Sequence, residues 1–194
     1  MNHAKTCGCP AVRGGQLLLV DPAGLVGDAS PGERVASTMQ CLERTAGGGV
    51  DTVAVVAGSS ALAQRFALPD LVGMLKRSGR VGRVVVVVPH RHRMLLESFR
   101  RNGADFFAVM NFGRLDSAGI EEAAGRLCPE DSPERQLALV CPFLNYSAID
   151  ARTELTVCGA YRNRMVLGPQ RLRSCCETAA HAQCEQYLSP RHGA

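Results

Sequence analysis

The 194-residue sequence has no tryptophan, few other aromatic residues, and only two lysines, Lys5 and Lys76, among its 22 basic residues. It has no phosphate-binding P-loop, no GxGxxG, no GxSxG and no HExxH motif. Its longest aliphatic run, Val84 to Val88, is too short to span a membrane. The N-terminus also lacks the apolar core of a signal peptide. We therefore expect a cytoplasmic protein with no membrane span and no familiar catalytic motif.

What the sequence does contain is enough apolar material for a folded core, since 46% of its residues are hydrophobic. The length fits one domain, or one domain with an appendage. A change in composition near residue 130, where a stretch rich in proline and acidic residues begins, suggests the boundary. We predict a flexible N-terminal segment (1–15), an α/β domain (16–130) and a cysteine-rich metal- or cluster-binding module (131–194).

Four short apolar segments, 16–20, 52–57, 83–88 and 106–109, read as buried strands. They alternate with amphipathic helical sequence, which predicts a short parallel sheet flanked by helices, an α/β fold of the receiver or flavodoxin type. Ser30, Pro31 and Glu33 resemble a helix start, so we expect a helix over 30–44. Pro69 predicts two short helices between residues 61 and 77. Further helices are expected over 91–102 and 117–127.

The run LLESFRRNGADFFAVMNF (95–112) resembles the end of a response-regulator receiver domain. The matching positions are Gly103, Ala104, Asp105, Val109 and Phe112. The segment LLLVDP resembles the receiver's first strand with its acidic end. The resemblance implies a receiver-like scaffold, shortened by roughly one βα unit.

The receiver's catalytic positions are absent. Its lysine falls at Met110, its second acid at Pro22 and its Ser/Thr at Pro89, and its phosphoacceptor Asp falls near Val56 or Ala57. A receiver needs carboxylates to hold Mg²⁺ and a lysine to pair with the acyl phosphate. The sequence therefore argues against phosphotransfer.

Two further groups of residues suggest surfaces for binding. Open α/β sheets bind ligands at the carboxyl ends of their strands, where a pocket would be lined by Asp21, Ser59, Ser60, His90 and Asn111. Polar residues at strand ends are, however, usually only loop starts. Eight basic residues and one acid lie between residues 76 and 101, and the candidate patch is Arg77, Arg80, Arg91, Arg93, Arg100 and Arg101. Such a patch suits an acidic partner or nucleic acid, or it is simply a solvated surface. His90 and His92 open an Arg-rich helix, and we expect both to be exposed.

Five of the nine cysteines lie between Cys141 and Cys184. Cytoplasmic cysteine clusters are more often metal-binding or catalytic than disulfide-bonded, although free cysteines also serve as small core residues. Cys41 and Cys128 are interpreted as structural. Cys7 and Cys9 could bind a metal or form a redox pair, but an exposed tail is the simpler interpretation.

The pattern CPFL, a lone cysteine, then C-x4-H-x2-C and an aromatic residue resembles a small four-cysteine module attached to assorted bacterial signalling and envelope-associated proteins. The resemblance implies the ligands Cys141, Cys158, Cys176 and Cys184. Cys175 doubles the third position, so either Cys175 or Cys176 could be the ligand there. His181 could replace a cysteine or support one through a hydrogen bond.

A [4Fe-4S] iron–sulfur cluster is favoured over zinc, because structural zinc usually uses closely spaced ligand pairs, which this segment lacks. The sequence thus suggests a non-enzymatic protein that binds a metal or an iron–sulfur cluster and acts in redox sensing, electron transfer or signalling through a protein partner. The alternative is a small enzyme or enzyme subunit with a ligand pocket at the strand ends and a structural zinc module.

Overall fold

The structure, a computed structural model, describes residues 16–27, 33–58, 61–110 and 115–191. Five strands form a parallel sheet in the order β2-β1-β3-β4-β5, which is the order of flavodoxin-like α/β proteins. The strands are β1 (Gln16–Val20), β2 (Glu33–Val35), β3 (Val50–Val56), β4 (Arg83–Val88) and β5 (Phe106–Val109). The predicted α/β fold with a parallel sheet is therefore confirmed.

Both faces of the sheet are buried, because successive side chains of a strand point to opposite sides. On one face Leu18, Val53 and Val84 pack under three helices, which are α1 (Thr38–Ala46), α2 (Leu62–Ser78) and α3 (Arg93–Arg101). On the other face Ala54 and Val85 pack with residues of α4 (Ser117–Gly125) and of the loop after β1. Strands buried on both sides need continuous apolar sequence, and this is what the valine runs supply.

The expected helix over 30–44 is wrong at its start. Residues 33–35 form β2 instead, which adds a fifth strand to the four that the sequence predicted. The helix begins at Thr38, where the Ser37 hydroxyl accepts the Gln40 N–H at 3.2 Å, a standard N-terminal cap. The Glu33 carboxylate pairs with Arg44 across the β2–α1 turn rather than capping a helix. Ser30 and Pro31 lie outside the described residues.

In the connection between β1 and β2, residues 21–27, the part of it that the structure describes, contain no helix. The Asp21 carboxylate organises this loop by accepting the N–H groups of Leu25 (3.0 Å) and Val26 (2.9 Å). Arg34 also contacts that carboxylate, at 3.3 Å.

The expected break at Pro69 is also wrong, because α2 is one helix with Pro69 inside it. An internal proline removes one helical hydrogen bond and typically costs about 3 kcal/mol. Burial of Leu68, Leu71 and Leu75 offsets this cost, since each buried leucine side chain contributes about 1.5–3 kcal/mol. Packing against the sheet thus overrides the local preference. The helix ends at Gly79, whose left-handed φ of 64° suits glycine.

The chain after α4 holds more regular structure than its sequence pattern indicated. A 3-10 turn (Pro129–Asp131) leads into α5 (Pro133–Ala138), followed by the antiparallel strands β6 (Leu144–Ala148), β7 (Glu154–Cys158) and β8 (Met165–Val166). The short helix α6 (Pro169–Arg171) continues as a π-helix (Leu172–Cys176), and α7 spans Glu185–Leu188. No helix in the described part of the chain is long and apolar enough to cross a membrane.

Candidate metal centre

Five cysteines from four separate segments line one cavity in the C-terminal part of the chain. Cys141 precedes β6, Cys158 ends β7, Cys175 and Cys176 lie in the π-helix, and Cys184 precedes α7. All five are free thiols. Apolar side chains, among them those of Phe143, Leu144, Met165 and Leu167, complete much of the lining. The fold therefore collects in one place the four predicted ligands and the alternate Cys175.

The β6–β7 pairing positions the first two cysteines. Leu144 and Cys158 are opposite each other in the register, and the Gly159 N–H donates to the Phe143 carbonyl at 2.7 Å. Position 159 has no room for a side chain, because a Cβ there would lie 2.7 Å from the Asn145 Nδ2 and 3.0 Å from that carbonyl. A glycine directly after Cys158 thus allows the close approach of the two strands.

The π-helix explains how two adjacent cysteines can both face the cavity. Cys175 and Cys176 are both buried, and both line it. In a π-helix the turn is wider than in an α-helix, and such turns recur at functional sites. The Cys141 N–H donates to the Cys176 carbonyl at 2.7 Å, which ties this turn to the start of β6. The sequence left the third ligand open between these two thiols, and the structure places both at the cavity.

Cys184 differs electrostatically from the other thiols. Burial raises the pKa of its thiol, but backbone N–H groups of Tyr187 and Gln186 and the Arg171 guanidinium outweigh burial and lower the pKa below 9.0. The Arg171 side-chain N–H donates to the Cys184 sulfur at 3.1 Å. By contrast, burial and the neighbouring thiols raise the pKa of Cys176 to about 12. Binding of a metal by such thiols releases protons, since the thiolate is the ligand.

His181 is buried beside these thiols, and a hydrogen bond to the backbone favours one tautomer of its ring. Its Nδ1 lies 2.7 Å from the Thr178 carbonyl, which can only accept, so Nδ1 carries the proton and Nε2 a lone pair. A hydrogen bond from one ring nitrogen to a backbone carbonyl is the usual support of a metal-binding histidine. The ring packs edge-on against Tyr187, with 5.3 Å between centroids.

The donor chemistry fits a group that prefers sulfur ligands. Cys thiolates are the ligands of iron–sulfur clusters and, with histidine, of zinc. The Gln186 Oε1 lines the same cavity, is buried and has no hydrogen-bond partner among the described residues. If the oxygen and nitrogen of this side-chain amide are exchanged, its N–H₂ group would occupy the position of Oε1 and could donate to a thiolate or inorganic sulfide. Within the described ranges, no three His, Cys, Asp or Glu side chains are placed to hold a single metal ion.

The remaining cysteines lie elsewhere. Cys41 is buried in α1 under the sheet, where burial raises the pKa of its thiol to about 11. The Cys128 sulfur lies 3.2 Å from the Asp131 carboxylate, at the 3-10 turn. Cys7 and Cys9, with the rest of the predicted segment 1–15, lie outside the described residues.

Of the five strand-end residues predicted from the sequence, the structure describes Asp21 and His90. The Asp21 carboxylate accepts hydrogen bonds from the loop after β1, as described above. His90 lines a cavity of about 90 Å³ with Arg65, Pro89 and His92. Ser59, Ser60 and Asn111 lie outside the described residues.

The six arginines of the candidate basic patch have different surroundings. Arg91 donates to the Gln136 Oε1 at 2.8 Å and to the Glu177 carbonyl at 3.3 Å. Arg93 pairs with Glu97 at 2.8 Å. Those two are partly buried against the C-terminal part of the chain, whereas the other four are exposed: Arg77, Arg80, Arg100 and Arg101.

The expectation that His92 is exposed is wrong. Its side chain is only 1% exposed and stacks on the Tyr146 ring with 3.7 Å between centroids. The His92 Nε2 lies 2.7 Å from the Glu154 carboxylate, which also accepts from Arg65 at 3.1 Å. These contacts join α2 and α3 to β6 and β7, and one hydrophobic cluster runs from the sheet into the cysteine segment. Sequence reasoning missed this contact because Glu154 lies 62 positions from His92 and 89 from Arg65.

No protein-family model and no curated protein matches the chain. Among solved structures, a crystal structure described as a putative pilus assembly-related protein from Burkholderia pseudomallei is similar to part of it. The match covers 59% of this chain and 92% of that chain, with 19% sequence identity and a TM-score of 0.38. A similarity at that level carries no argument about function.

Proposed function

We propose that this is a non-enzymatic protein that binds an iron–sulfur cluster through its C-terminal cysteines. The observation that carries the proposal is the convergence of five thiols and one imidazole, from four segments between Cys141 and Cys184, on a single cavity. Four cysteine thiolates are the usual ligands of a [4Fe-4S] cluster, which supplies a one-electron redox couple when bound. Cys141, Cys158 and Cys184 with Cys175 or Cys176 would hold it.

The surroundings of the thiols support a redox role. Hydrogen bonds to the sulfurs and solvent exposure set the reduction potential of a cluster. The Cys184 sulfur accepts a hydrogen bond from Arg171 at 3.1 Å, and the backbone N–H groups of Tyr187 and Gln186 also lower the pKa of this thiol. Cys184 is also the most accessible of the five cysteines, since the other four are buried. Electrons or oxidants would therefore reach the site from the Cys184 side.

The contacts of β6 and β7 with α2 and α3 offer a route for signalling to a protein partner. β7 carries Glu154 at its start and Cys158 at its end. Because metal binding and folding of such segments are coupled, loss of the cluster would weaken the contacts of Glu154 with Arg65 and His92. A protein partner that recognises this junction would thereby sense the state of the cluster.

Zinc is the second candidate, because the space enclosed by the thiols is only about 10 Å³. That is close to the volume occupied by a single water-sized sphere. One zinc ion bound by thiolates at about 2.3 Å needs less room than a four-iron cluster. In that case the cysteine segment is a structural element, and its metal has no redox chemistry.

The visible absorption spectrum of protein purified without oxygen, with its iron, sulfide and zinc content, tests both candidates. A brown protein with about four irons and four sulfides per chain supports the cluster. A colourless protein with one zinc overturns the cluster and supports the second candidate. A protein with no metal overturns both.

Serine variants then locate the ligands. Cys141→Ser, Cys158→Ser and Cys184→Ser should each lower the metal content strongly. Cys41→Ser and Cys128→Ser are matched controls outside the cavity and should keep the metal. Comparison of Cys175→Ser with Cys176→Ser identifies the third ligand, because only the variant that removes a ligand should lose the metal.

A further inference from the structure

A second cavity lies beside the cysteine segment and is bordered by one aromatic and three basic side chains. Tyr161, Arg162, Arg164 and Arg191 line a space of about 280 Å³. None of these residues belongs to the basic patch between 76 and 101. The first three come from the loop between β7 and β8, and the fourth comes from beyond α7.

The loop holds its arginines in an unusual backbone conformation. Arg162 and Asn163 have φ values of 56° and 57°, in the left-handed region that residues other than glycine rarely adopt. Two backbone hydrogen bonds hold the turn, since the Arg162 N–H donates to the Gly159 carbonyl and the Asn163 N–H to the Cys158 carbonyl, both at 3.1 Å. The Asn145 side chain fixes the Asn163 Oδ1 at 2.8 Å.

Arg191 is held in place from the opposite side. The Arg191 backbone N–H donates to the Ala160 carbonyl at 2.7 Å. Its guanidinium lies over the Tyr161 ring, 5.2 Å from the centroid. This cation–π contact orients the guanidinium and leaves its edge for another partner. Two segments 30 residues apart thus present their arginines to the same space.

The side chains around this cavity carry three positive charges. Across the ranges that the structure describes, none of Arg162, Arg164 and Arg191 forms an ion pair with a carboxylate. Three positive charges around one aromatic ring are therefore available to an anion.

We propose that this arginine cavity, formed by Tyr161, Arg162, Arg164 and Arg191, binds the phosphate groups of a small phosphorylated ligand. The planar guanidinium fork matches phosphate oxygens with paired hydrogen bonds. Three guanidinium groups match the charge of a diphosphate better than that of a single carboxylate. The volume exceeds that of a few waters but lies just below the range of pockets for whole drug-sized ligands. The cavity thus suits a diphosphate, either free or as the charged end of a nucleotide.

This proposal does not depend on the identity of the metal. The arginine cavity and the cysteine cavity share the loop after Cys158, but they have no lining residue in common. Binding of phosphate can be measured whatever group the thiols hold, and failure of one proposal leaves the other standing.

Isothermal titration calorimetry of the full-length protein, as purified with its metal, provides the test, with pyrophosphate and ADP as the two probes. Arg164→Gln and Arg191→Gln should each weaken pyrophosphate binding about tenfold or more, because each removes a charge-assisted hydrogen bond. Arg173→Gln and Arg80→Gln remove the same charge from exposed positions outside the cavity and should leave the affinity within about twofold. Circular dichroism of each variant checks that the fold is retained.

The two probes distinguish the sources of the phosphate. Equal affinity for pyrophosphate and ADP indicates that the diphosphate alone is recognised, and tighter binding of ADP indicates a nucleotide. Absence of binding to both probes overturns the proposal. An equal loss of affinity in the control variants also overturns it. Binding of a single-stranded oligonucleotide in place of both probes overturns it as well, because it would indicate a general polyanion surface.

Discussion

Acid should weaken this protein through one buried histidine. His92 is 1% exposed and caps α3, where its Nδ1 accepts the Leu95 N–H at 3.3 Å. Its Nε2 must then carry the proton that it shares with Glu154 at 2.7 Å. Tyr146 stacks on the ring at 3.7 Å. All of these contacts are made by the neutral imidazole, and Arg65 adds a positive charge close by.

The size of the effect follows from the pKa of His92. Burial lowers it from 6.5 to about 4, although Glu154 pulls in the opposite direction. Between these values the unfolded chain binds a proton that the folded protein does not, so the free energy of unfolding falls as pH falls through this window. The difference corresponds to about 3 kcal/mol, a large part of the 5–15 kcal/mol that is typical of a domain. Above about pH 6.5 the contribution is complete.

Urea unfolding between about pH 7 and pH 4 measures this loss directly. His92→Gln removes the titrating group but keeps a side chain that can donate to Glu154. Wild type should therefore lose about 3 kcal/mol more than His92→Gln across the window. His90→Gln, a neighbouring substitution, should follow the wild type. The metal content of each protein, measured at each pH, separates acid release of a metal from the titration of His92 itself. Parallel curves for wild type and His92→Gln would refute the reasoning.

Three further substitutions test single contacts. Gly159→Ala should lower the free energy of unfolding by about 1–3 kcal/mol and reduce the metal content, because its Cβ would lie 2.7 Å from a neighbouring side chain. Gly168→Ala, with nothing within 4 Å of its Cβ, should change neither quantity. Arg171→Gln should raise the pKa of Cys184, so that iodoacetamide alkylates this thiol more slowly in metal-free protein, as mass spectrometry would show. Asp105→Ala should cost about 1–3 kcal/mol in urea unfolding, since a buried strand N–H loses its acceptor at 2.7 Å; a loss below about 0.5 kcal/mol would contradict that role.

The parallel sheet was predictable because its signal is local. The valines of β4 and the apolar run of β1 are buried on both sides, and only an α/β arrangement covers both faces of such strands. Asp105 shows the limit of that approach. Its position in a Gly-Ala-Asp sequence suggested a receiver-like scaffold, but its contacts with Lys76 at 2.9 Å and with the β4 backbone appear only in three dimensions.

The errors in helix placement have a common physical cause. Ser30 and Ser37 both offer a hydroxyl for a cap, and sequence alone does not tell which of them begins the helix. Pairing of residues 33–35 with β1 excludes a helix there and decides in favour of Ser37. At Pro69 the burial of the surrounding leucines outweighs a local penalty. In both places tertiary contacts that are distant in sequence overrule a local preference.

The cysteine segment was recognisable by composition but not by geometry. Residue types and spacing indicated thiol ligands, and the fold brings those thiols to one cavity. The spacing could not reveal the π-helix that turns both Cys175 and Cys176 inward. Nor could it reveal the arginine cavity, because Arg191 is brought to Arg162 and Arg164 by a hydrogen bond to Ala160 and a contact with the Tyr161 ring, which appear only in three dimensions.

The strand β7 connects the proposed metal centre to the helices α2 and α3. Its five residues run from Glu154, which is paired with Arg65 and His92, to Cys158 at the cysteine cavity. The position of this strand therefore depends on the contacts at both of its ends. If the thiols bind a metal or a cluster, we expect that group to strengthen the His92 contact. Acid that charges His92 should in turn weaken the hold of the thiols on that group, because such coupling between two sites is reciprocal.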